Sequence, residues 1–239
     1  MSEFPVIENK RFWPFALCEL VDLFSYQVNK YSLELPNDPK AVADAVIKDV
    51  RYPFHLGQPD DYHQLNCFHG SYKFCKRVDL DFFQKASETA FLKVGDCEDS
   101  SVLYTALAGK LVGAESVYEV LGLVKDADTG EILGGHGWSV CKWQSQWHLA
   151  ESTLDIPPAQ YPVIVHYKAP CTIGKYIYAP MVLFNWKKYI EISPISNYLG
   201  LSFKSKETRR KYEAISRAFG IRTKPLGKST ILSKFKWRR

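Results

Sequence analysis

The first half of the chain contains two stretches in which apolar side chains recur every three or four residues, the period of an amphipathic helix. They cover residues 15–31 and 38–52. In the second stretch Asp38 is suited to cap a helix and Pro39 to occupy its first position, because the first turn leaves backbone N–H groups without intrahelical partners. We therefore predict one helix in each stretch.

A third helical period begins after Cys97 and ends at Gly113, a residue type that commonly terminates helices. The leucines that carry this period stand four residues apart: Leu103, Leu107 and Leu111. Cys97 is therefore predicted to lie in the first turn of a helix.

After this helix the pattern changes to short apolar or alternating runs separated by polar turns, which is typical of β-strands. The predicted strands are residues 116–124, 136–143, 147–153, 161–167 and 177–186. Helices followed by antiparallel strands predict an α+β fold, with helices packed on an antiparallel β-sheet.

Residues 53–80 show no clear period and are rich in Gly, Asp, His, Tyr and Cys. A segment of this length predicts an ordered excursion or a lid. It holds side chains of the types that bind zinc, namely His63, Cys67, His69 and Cys75. Their spacing matches no zinc-binding pattern that we can justify, so we predict no metal site there.

Composition and charge divide the chain into two parts. Its 239 residues, 46% hydrophobic and 14% aromatic, suffice for a substantial core. Residues 204–239 contain 13 Lys or Arg and two Glu, a net charge of +11, whereas residues 1–203 carry 18 basic and 24 acidic residues, a net charge of −6. We predict a globular domain over residues 1–203 and a basic extension, a helix plus a tail, over residues 204–239. Its basic and apolar residues predict contact with a protein partner, with nucleic acid as the alternative.

The six cysteines are scattered and form no CxxC pair, which predicts reduced and mostly buried thiols in place of a disulfide framework. No run approaches the roughly 18 apolar residues of a membrane span. Residues 1–15 carry acids and prolines where a secretory leader would be apolar. We expect a cytoplasmic or otherwise intracellular protein with no membrane span.

The segment GDCEDSS, residues 95–101, makes Cys97 a candidate nucleophile. A thiol attacks a carbonyl as the thiolate, and the unpaired N–H groups at a helix N-terminus favour negative charge. The flanking acids Asp96, Glu98 and Asp99 act against the thiolate unless they cap the helix or face solvent. A lone cysteine at a helix start is otherwise structural. A catalytic Cys97 therefore needs a cationic partner, which should be a histidine.

His136 and Glu151 are the candidates for that partner and for the acid that orients it. His136 stands between glycines at the start of one predicted strand, and Glu151 lies on the next. A two-residue turn at residues 144–145 would pair Glu151 with Trp138 across the ladder. The carboxylate would then lie diagonal to His136 on one face of the sheet, whereas an odd-length link would require a bulge.

Three segments resemble the blocks of the transglutaminase-like superfamily of papain-like cysteine enzymes. They are GDCEDSSVLYTALAGKLVGAESVYEVLG, HGWSVCKW and WHLAEST, preceded by the similar helix DPKAVADAVIKDVRYPF, and together they cover about residues 38–156. The GDCED segment is most similar to the bacterial and archaeal transglutaminase-like cysteine proteinases. The resemblance implies a papain-like core and acyl transfer through a thioester, without a cofactor. It also implies that Cys97 is the nucleophile, His136 the general base and Glu151 the orienting acid.

The resemblance also bears on the supporting residues. The family usually has Asp in a D-x-T motif where this chain has E-S-T at residues 151–153, and Asp155, on the same strand face, is the alternative acid. The backbone N–H of Cys97 is the expected oxyanion donor. By analogy to the glutamine of papain-like enzymes, Gln84 is the candidate for a second donor. Trp138 is a candidate substrate wall, or else a core residue.

These residues predict a cysteine-dependent amide hydrolase, a peptidase or isopeptidase, acting on a protein or peptide substrate. A protein-crosslinking transglutaminase would use the same three side chains and differ in its acceptor, an amine in place of water. The third interpretation is an inactive binding or structural module that docks through its basic extension, since a fold can keep its packing after losing its chemistry.

Overall fold

The structure is a computed structural model that describes residues 14–52, 62–64, 76–78, 83–153 and 161–193. The predictions made for Asp155 and for the basic extension, residues 204–239, lie outside the described residues. So does most of segment 53–80, within which the side chains of the zinc-type residues are not described.

The helices lie mainly before the sheet in sequence. They are α1 Pro14–Leu20, α2 Tyr26–Ser32, α3 Pro39–Asp49, α4 Ala86–Leu92 and α5 Cys97–Val112. Helix α3 begins as predicted, because the Asp38 carboxylate accepts hydrogen bonds from the backbone N–H groups of Lys40 and Ala41 and Pro39 fills the first position. Helix α5 begins at Cys97 and ends before Gly113, whose φ of 79° lies in the left-handed region. The predicted start of α3 and the predicted start and end of α5 are confirmed.

The single helix predicted over residues 15–31 is wrong, because the structure divides it into α1 and α2. Asp22 lies in the break, and its carboxylate accepts hydrogen bonds from the backbone N–H and hydroxyl of Ser87 at 2.9 and 2.5 Å. Ser25 then starts the second helix by accepting a bond from the N–H of Val28. A tertiary contact across 65 residues thus overrides the local helical period.

The strands form one large sheet and one small one. They are β1 Tyr62–Gln64, β2 Lys76–Val78, β3 Val117–Asp126, β4 Ile132–Trp143, β5 Gln146–Ala150, β6 Val163–Ile164, β7 Cys171–Ile173, β8 Tyr176–Phe184 and β9 Tyr189–Glu191. The small sheet pairs β1 with β2, and the seven-stranded sheet has the order β6-β5-β4-β3-β8-β7, with β9 also paired to β8. Every strand pairing is antiparallel, so helices combined with an antiparallel sheet are confirmed as the fold class.

The β4–β5 hairpin has the predicted two-residue turn. Gln144 and Ser145 adopt φ values of 51° and 66°, the left-handed conformation that a tight hairpin turn requires. Ser139 pairs with Ala150, so the next position along each strand brings Glu151 opposite Trp138. The register that the proposed site needs is confirmed.

Apolar side chains pack on both faces of the large sheet. One cluster lies between the helices and the sheet, and includes Leu103 and Leu107 of α5 together with Leu121 and Cys141. A second cluster on the opposite face contains Trp138, and its other buried members are Tyr118, Val120, Val140, Leu149, Ile164, Tyr178 and Leu183. None of the helices in the described ranges is long and apolar enough to cross a membrane.

Candidate active site

Cys97 is the first residue of helix α5 and remains half-buried. Its helix start is held by Asp99, whose carboxylate accepts a hydrogen bond from the backbone N–H of Asp96 at 3.4 Å. The same carboxylate accepts bonds from the Gln84 backbone N–H at 2.7 Å and from the Gln84 side-chain amide at 2.5 Å. Asp99 is therefore a buried cap, one of the two arrangements in which an acid close to Cys97 is compatible with a catalytic thiol.

Strand β4 meets the first turn of α5 at Gly137. The backbone of Gly137 lies near the sulfur of Cys97 and acts to lower the pKa of its thiol. A Cβ atom placed on Gly137 would lie 2.7 Å from the Cα of Glu98, so the two backbones are in direct contact. This contact brings the residue next to His136 against the helix turn that begins at Cys97.

His136 and Glu151 form the second half of the site. Nε2 of His136 lies 2.8 Å from Oε2 of Glu151, and this carboxylate is fully buried. Oε1 accepts a bond from the backbone N–H of Thr153 at 2.9 Å, and Oε2 also accepts a bond from the hydroxyl of Tyr178 at 3.1 Å. Among the described residues the imidazole forms no hydrogen bond through Nδ1, so this nitrogen is available to exchange a proton with a thiol.

Two aromatic rings fix the plane of the imidazole. The ring centroid of His136 lies 6.1 Å from that of Trp138 and 5.8 Å from that of Tyr178, and the two aromatic rings meet edge to face. The His136 side chain is 13% exposed, whereas Trp138 is 2% exposed. The prediction of Trp138 as a substrate wall is therefore not supported. Trp138 is a core residue that supports the histidine.

The prediction of Gln84 as an oxyanion donor is also not supported. Its Nε2 donates to Oδ2 of Asp99 and, at 2.9 Å, to the carbonyl oxygen of Val94. Because an amide nitrogen carries two hydrogens, both donors are occupied. Gln84 fastens the loop before α5 to the helix start and has no N–H left for a substrate oxygen.

Electrostatics in the site favour a neutral thiol. Burial of the sulfur and the nearby Asp96 carboxylate raise the pKa of the Cys97 thiol well above its usual range, and contacts with Glu98 and with the Gly137 backbone oppose this rise without cancelling it. Oε2 of Glu98 lies 3.1 Å from the sulfur. The neutral thiol donates this hydrogen bond to the Glu98 carboxyl group.

The pKa of His136 is raised although burial of the ring lowers it, because the charge and hydrogen bond of Glu151 outweigh the loss of solvent. A raised imidazole pKa makes His136 a stronger base for the thiol proton. The structure places His136 against Glu151 and sets Gly137, the next residue on β4, against the helix turn that begins at Cys97. Within the described ranges, no group of His, Cys, Asp and Glu side chains is arranged to hold a metal ion.

Sequence reasoning missed Tyr178 and Tyr161, which both bind Glu151. Tyr178 bonds its carboxylate, and the hydroxyl of Tyr161 donates to its backbone carbonyl. Neither tyrosine differs in the sequence from any other strand aromatic. The role of Tyr178 depends on β8 pairing with β3, and that of Tyr161 on the segment before β6, which pairs with β5.

Comparisons with known proteins give weak likenesses. No protein-family model and no curated protein matches the chain. Among solved structures, it is similar to LapG of Legionella pneumophila, with 15% sequence identity, a TM-score of 0.38, and coverage of 89% of this chain and 90% of that chain. It is also similar to a Cytophaga hutchinsonii protein described as a "putative cysteine protease", with 14% identity, a TM-score of 0.37, and coverage of 68% of this chain and 49% of that chain. At these scores the likeness carries no argument about function, which rests on the contacts described above.

Proposed function

We propose that this chain is a cysteine-dependent amide hydrolase of the peptidase or isopeptidase class, acting on a protein or peptide through a papain-like triad. Cys97 is the nucleophile, His136 the general base and Glu151 the orienting acid. The observation that carries the proposal is the pairing of a His136–Glu151 hydrogen bond of 2.8 Å with the close approach of the adjacent Gly137 to the first turn of the helix that begins at Cys97.

The first step transfers the thiol proton to His136 as the sulfur attacks the amide carbonyl. Because Nε2 is bonded to Glu151, Nδ1 receives this proton. The carbonyl electron pair moves to oxygen, where the backbone N–H of Cys97 can stabilise it, since the first N–H of a helix has no intrahelical acceptor. The pKa of the thiol is raised, so the resting enzyme holds a neutral thiol and not a thiolate–imidazolium pair. The proton therefore moves to His136 while the sulfur attacks.

The second step breaks the amide C–N bond. His136 returns the proton to the leaving amine, and the acyl group remains on Cys97 as a thioester. Water then attacks the thioester, His136 takes a proton from the water, and the acid leaves as the thiol is restored. Glu151 stays ionised throughout and keeps the imidazole in one orientation.

Intact-protein mass spectrometry after treatment with an electrophilic peptidyl or glutamyl probe tests this proposal. We expect one adduct on Cys97 at neutral pH, and its loss in Cys97→Ala with little change in fold. The matched control is Cys171→Ala, which removes another half-buried thiol and should retain the adduct. A folded wild-type protein without an adduct on Cys97 would defeat the enzyme proposal and leave the inactive module as the better interpretation.

The same thioester could be transferred to an amine, which is the crosslinking alternative. Competition between water and a labelled primary amine separates the two outcomes. Label incorporated into the acyl product in preference to hydrolysis would identify a transglutaminase. Release of the free acid alone would identify a hydrolase.

A further inference from the structure

A buried carboxyl group that the proposed reaction does not use lies beneath the nucleophile. Glu119, on strand β3, is fully buried between the sheet and helix α5. Its Oε1 lies 2.7 Å from the hydroxyl oxygen of Ser101, and its Oε2 lies 3.4 Å from the hydroxyl oxygen of Ser139. No Lys or Arg in the described ranges forms an ion pair with it.

The hydroxyl of Ser101 has more close partners than its one hydrogen can serve. It lies 2.7 Å from the backbone carbonyl oxygen of Cys97 and 2.7 Å from Oε1 of Glu119. A carbonyl oxygen can only accept, so a hydroxyl hydrogen directed at Cys97 leaves the contact with an ionised Glu119 without any hydrogen. A proton carried by Glu119 supplies the missing one.

The hydroxyl of Ser139 cannot make up the deficit. Ser139 donates to the backbone carbonyl oxygen of Ser101 at 3.0 Å and lies 3.0 Å from the hydroxyl oxygen of Thr105. Its single hydrogen serves the carbonyl, and Thr105 donates to Ser139. Each of the two 2.7 Å contacts at the Ser101 hydroxyl then holds a hydrogen only if Glu119 is a carboxylic acid.

We propose that Glu119 is a neutral carboxylic acid that donates its proton to Ser101 and so positions the first turn of the nucleophile's helix. The chain of bonds runs from Glu119 to the Ser101 hydroxyl, and from there to the carbonyl oxygen of Cys97. Glu119 touches no reacting atom and is a positioning residue. This inference rests on the proposed function for its catalytic meaning, although the protonation of Glu119 can be tested without it.

The charge state of Glu119 matters because the titrating groups of the site are near. Burial raises the pKa of Glu119 well above its ordinary range, bonds from the two serines and the charge of His136 act against that rise, and Glu151 adds to it. An ionised Glu119 would raise the pKa of His136. A neutral Glu119 fixes the helix without altering the base.

Infrared difference spectroscopy tests the protonation directly. We expect the spectrum of wild type minus Glu119→Gln at neutral pH to contain the C=O band of a protonated carboxyl group. The matched control is Glu115→Gln, which removes an exposed carboxylate and should show no such band. Absence of the band in the Glu119→Gln difference would overturn the proposal. A Glu119→Gln variant that fails to fold would also overturn it, because an amide reproduces the shape and the donor of the neutral acid.

The reaction of Cys97 with iodoacetamide tests the positioning role. Glu119→Gln should keep the wild-type rate and pH profile, since it keeps a donor and adds no charge difference. Glu119→Met removes the donor at similar volume and should lower the rate roughly fivefold, the equivalent of one hydrogen bond.

A pH profile displaced to lower pH in Glu119→Gln would identify an ionised Glu119, and equal rates in both variants would remove the positioning role. If wild-type Cys97 proves unreactive, the enzyme proposal fails, whereas the infrared result still decides the state of Glu119.

Discussion

Gly137 and Glu98 touch backbone to backbone: a methyl group added at Gly137 would lie 2.7 Å from the Cα of Glu98 and 2.9 Å from its backbone nitrogen. This close approach lets the strand that carries His136 reach the helix turn that carries Cys97. The glycine is required here for space, because the Cα and nitrogen of Glu98 are main-chain atoms that cannot rotate away. The absent side chain thus sets how closely β4 approaches the first turn of α5.

Substitution of Gly137 by Ala should separate β4 from α5. We expect a loss of about 1–3 kcal/mol in the free energy of unfolding, the usual cost of overpacking, and a large fall in the rate of Cys97 modification. Gly134→Ala is the matched control on the same strand, because a Cβ atom there meets nothing within 4 Å. Chemical denaturation and probe labelling measure both effects. Equal behaviour of the two variants would show that the contact does not set the site.

Substitution of Glu151 by Gln should lower the pKa of His136. The amide can still accept the imidazole hydrogen, but without the carboxylate charge the burial of the ring dominates and disfavours the imidazolium. Because the pKa of His136 is higher in the folded chain than in the unfolded chain, its protonation stabilises the fold. This stabilisation is complete below the unfolded-chain pKa of about 6.5 and is lost as the pH rises through the folded-chain pKa. Ring-nitrogen NMR should show the lower pKa, with Glu115→Gln as an exposed control. An unchanged pKa would mean that Glu151 does not control the base.

Substitution of Tyr178 by Phe should destabilise the protein by about 2 kcal/mol, because it removes a buried hydrogen bond to a charged carboxylate. The matched control is Tyr189→Phe, which removes a hydroxyl bonded to the exposed Glu191 and should cost much less. Thermal and urea unfolding measure the difference. Cys97 labelling should also slow in Tyr178→Phe alone, since its Glu151 loses one of the groups that orient it.

The parts of the site that the sequence predicted depend on local rules. Asp38 and Pro39 mark a helix start by their own capping chemistry. The position of Cys97 in a first turn follows from the helical period of the residues directly after it. The pairing of Glu151 with Trp138 follows from the parity of a two-residue turn, because side chains alternate strictly along a strand.

The parts that the sequence did not predict depend on contacts between distant segments. The break at Asp22 requires Ser87, and the role of Tyr178 requires β8 to lie beside β3. Analogy of residue type predicts Gln84 as an oxyanion donor, whereas in the fold its side-chain amide donates to Asp99. The sequence of β3 does not indicate a role for Glu119. That role follows from the number of hydrogens available to the hydroxyl of Ser101, which requires atomic positions.

His148 should make the stability of the protein depend on pH in the opposite direction from His136. Its ring stacks on Trp143, with centroids 3.9 Å apart and planes within 6° of parallel, and burial lowers its pKa. Because the unfolded chain then binds a proton that the folded chain does not, stability should fall as pH drops below about 6.5 toward the folded pKa.

The variant His148→Phe keeps the aromatic stack and removes the titration. Its free energy of unfolding should decline less than that of wild type between pH 7 and pH 5, by up to about 1.4 kcal/mol per pH unit within the titration window. The contribution of His136 is present in both proteins and cancels in the comparison. Urea unfolding at a series of pH values measures the two slopes. Parallel slopes would mean that His148 accepts its proton equally well in the folded and unfolded states, and would contradict the prediction.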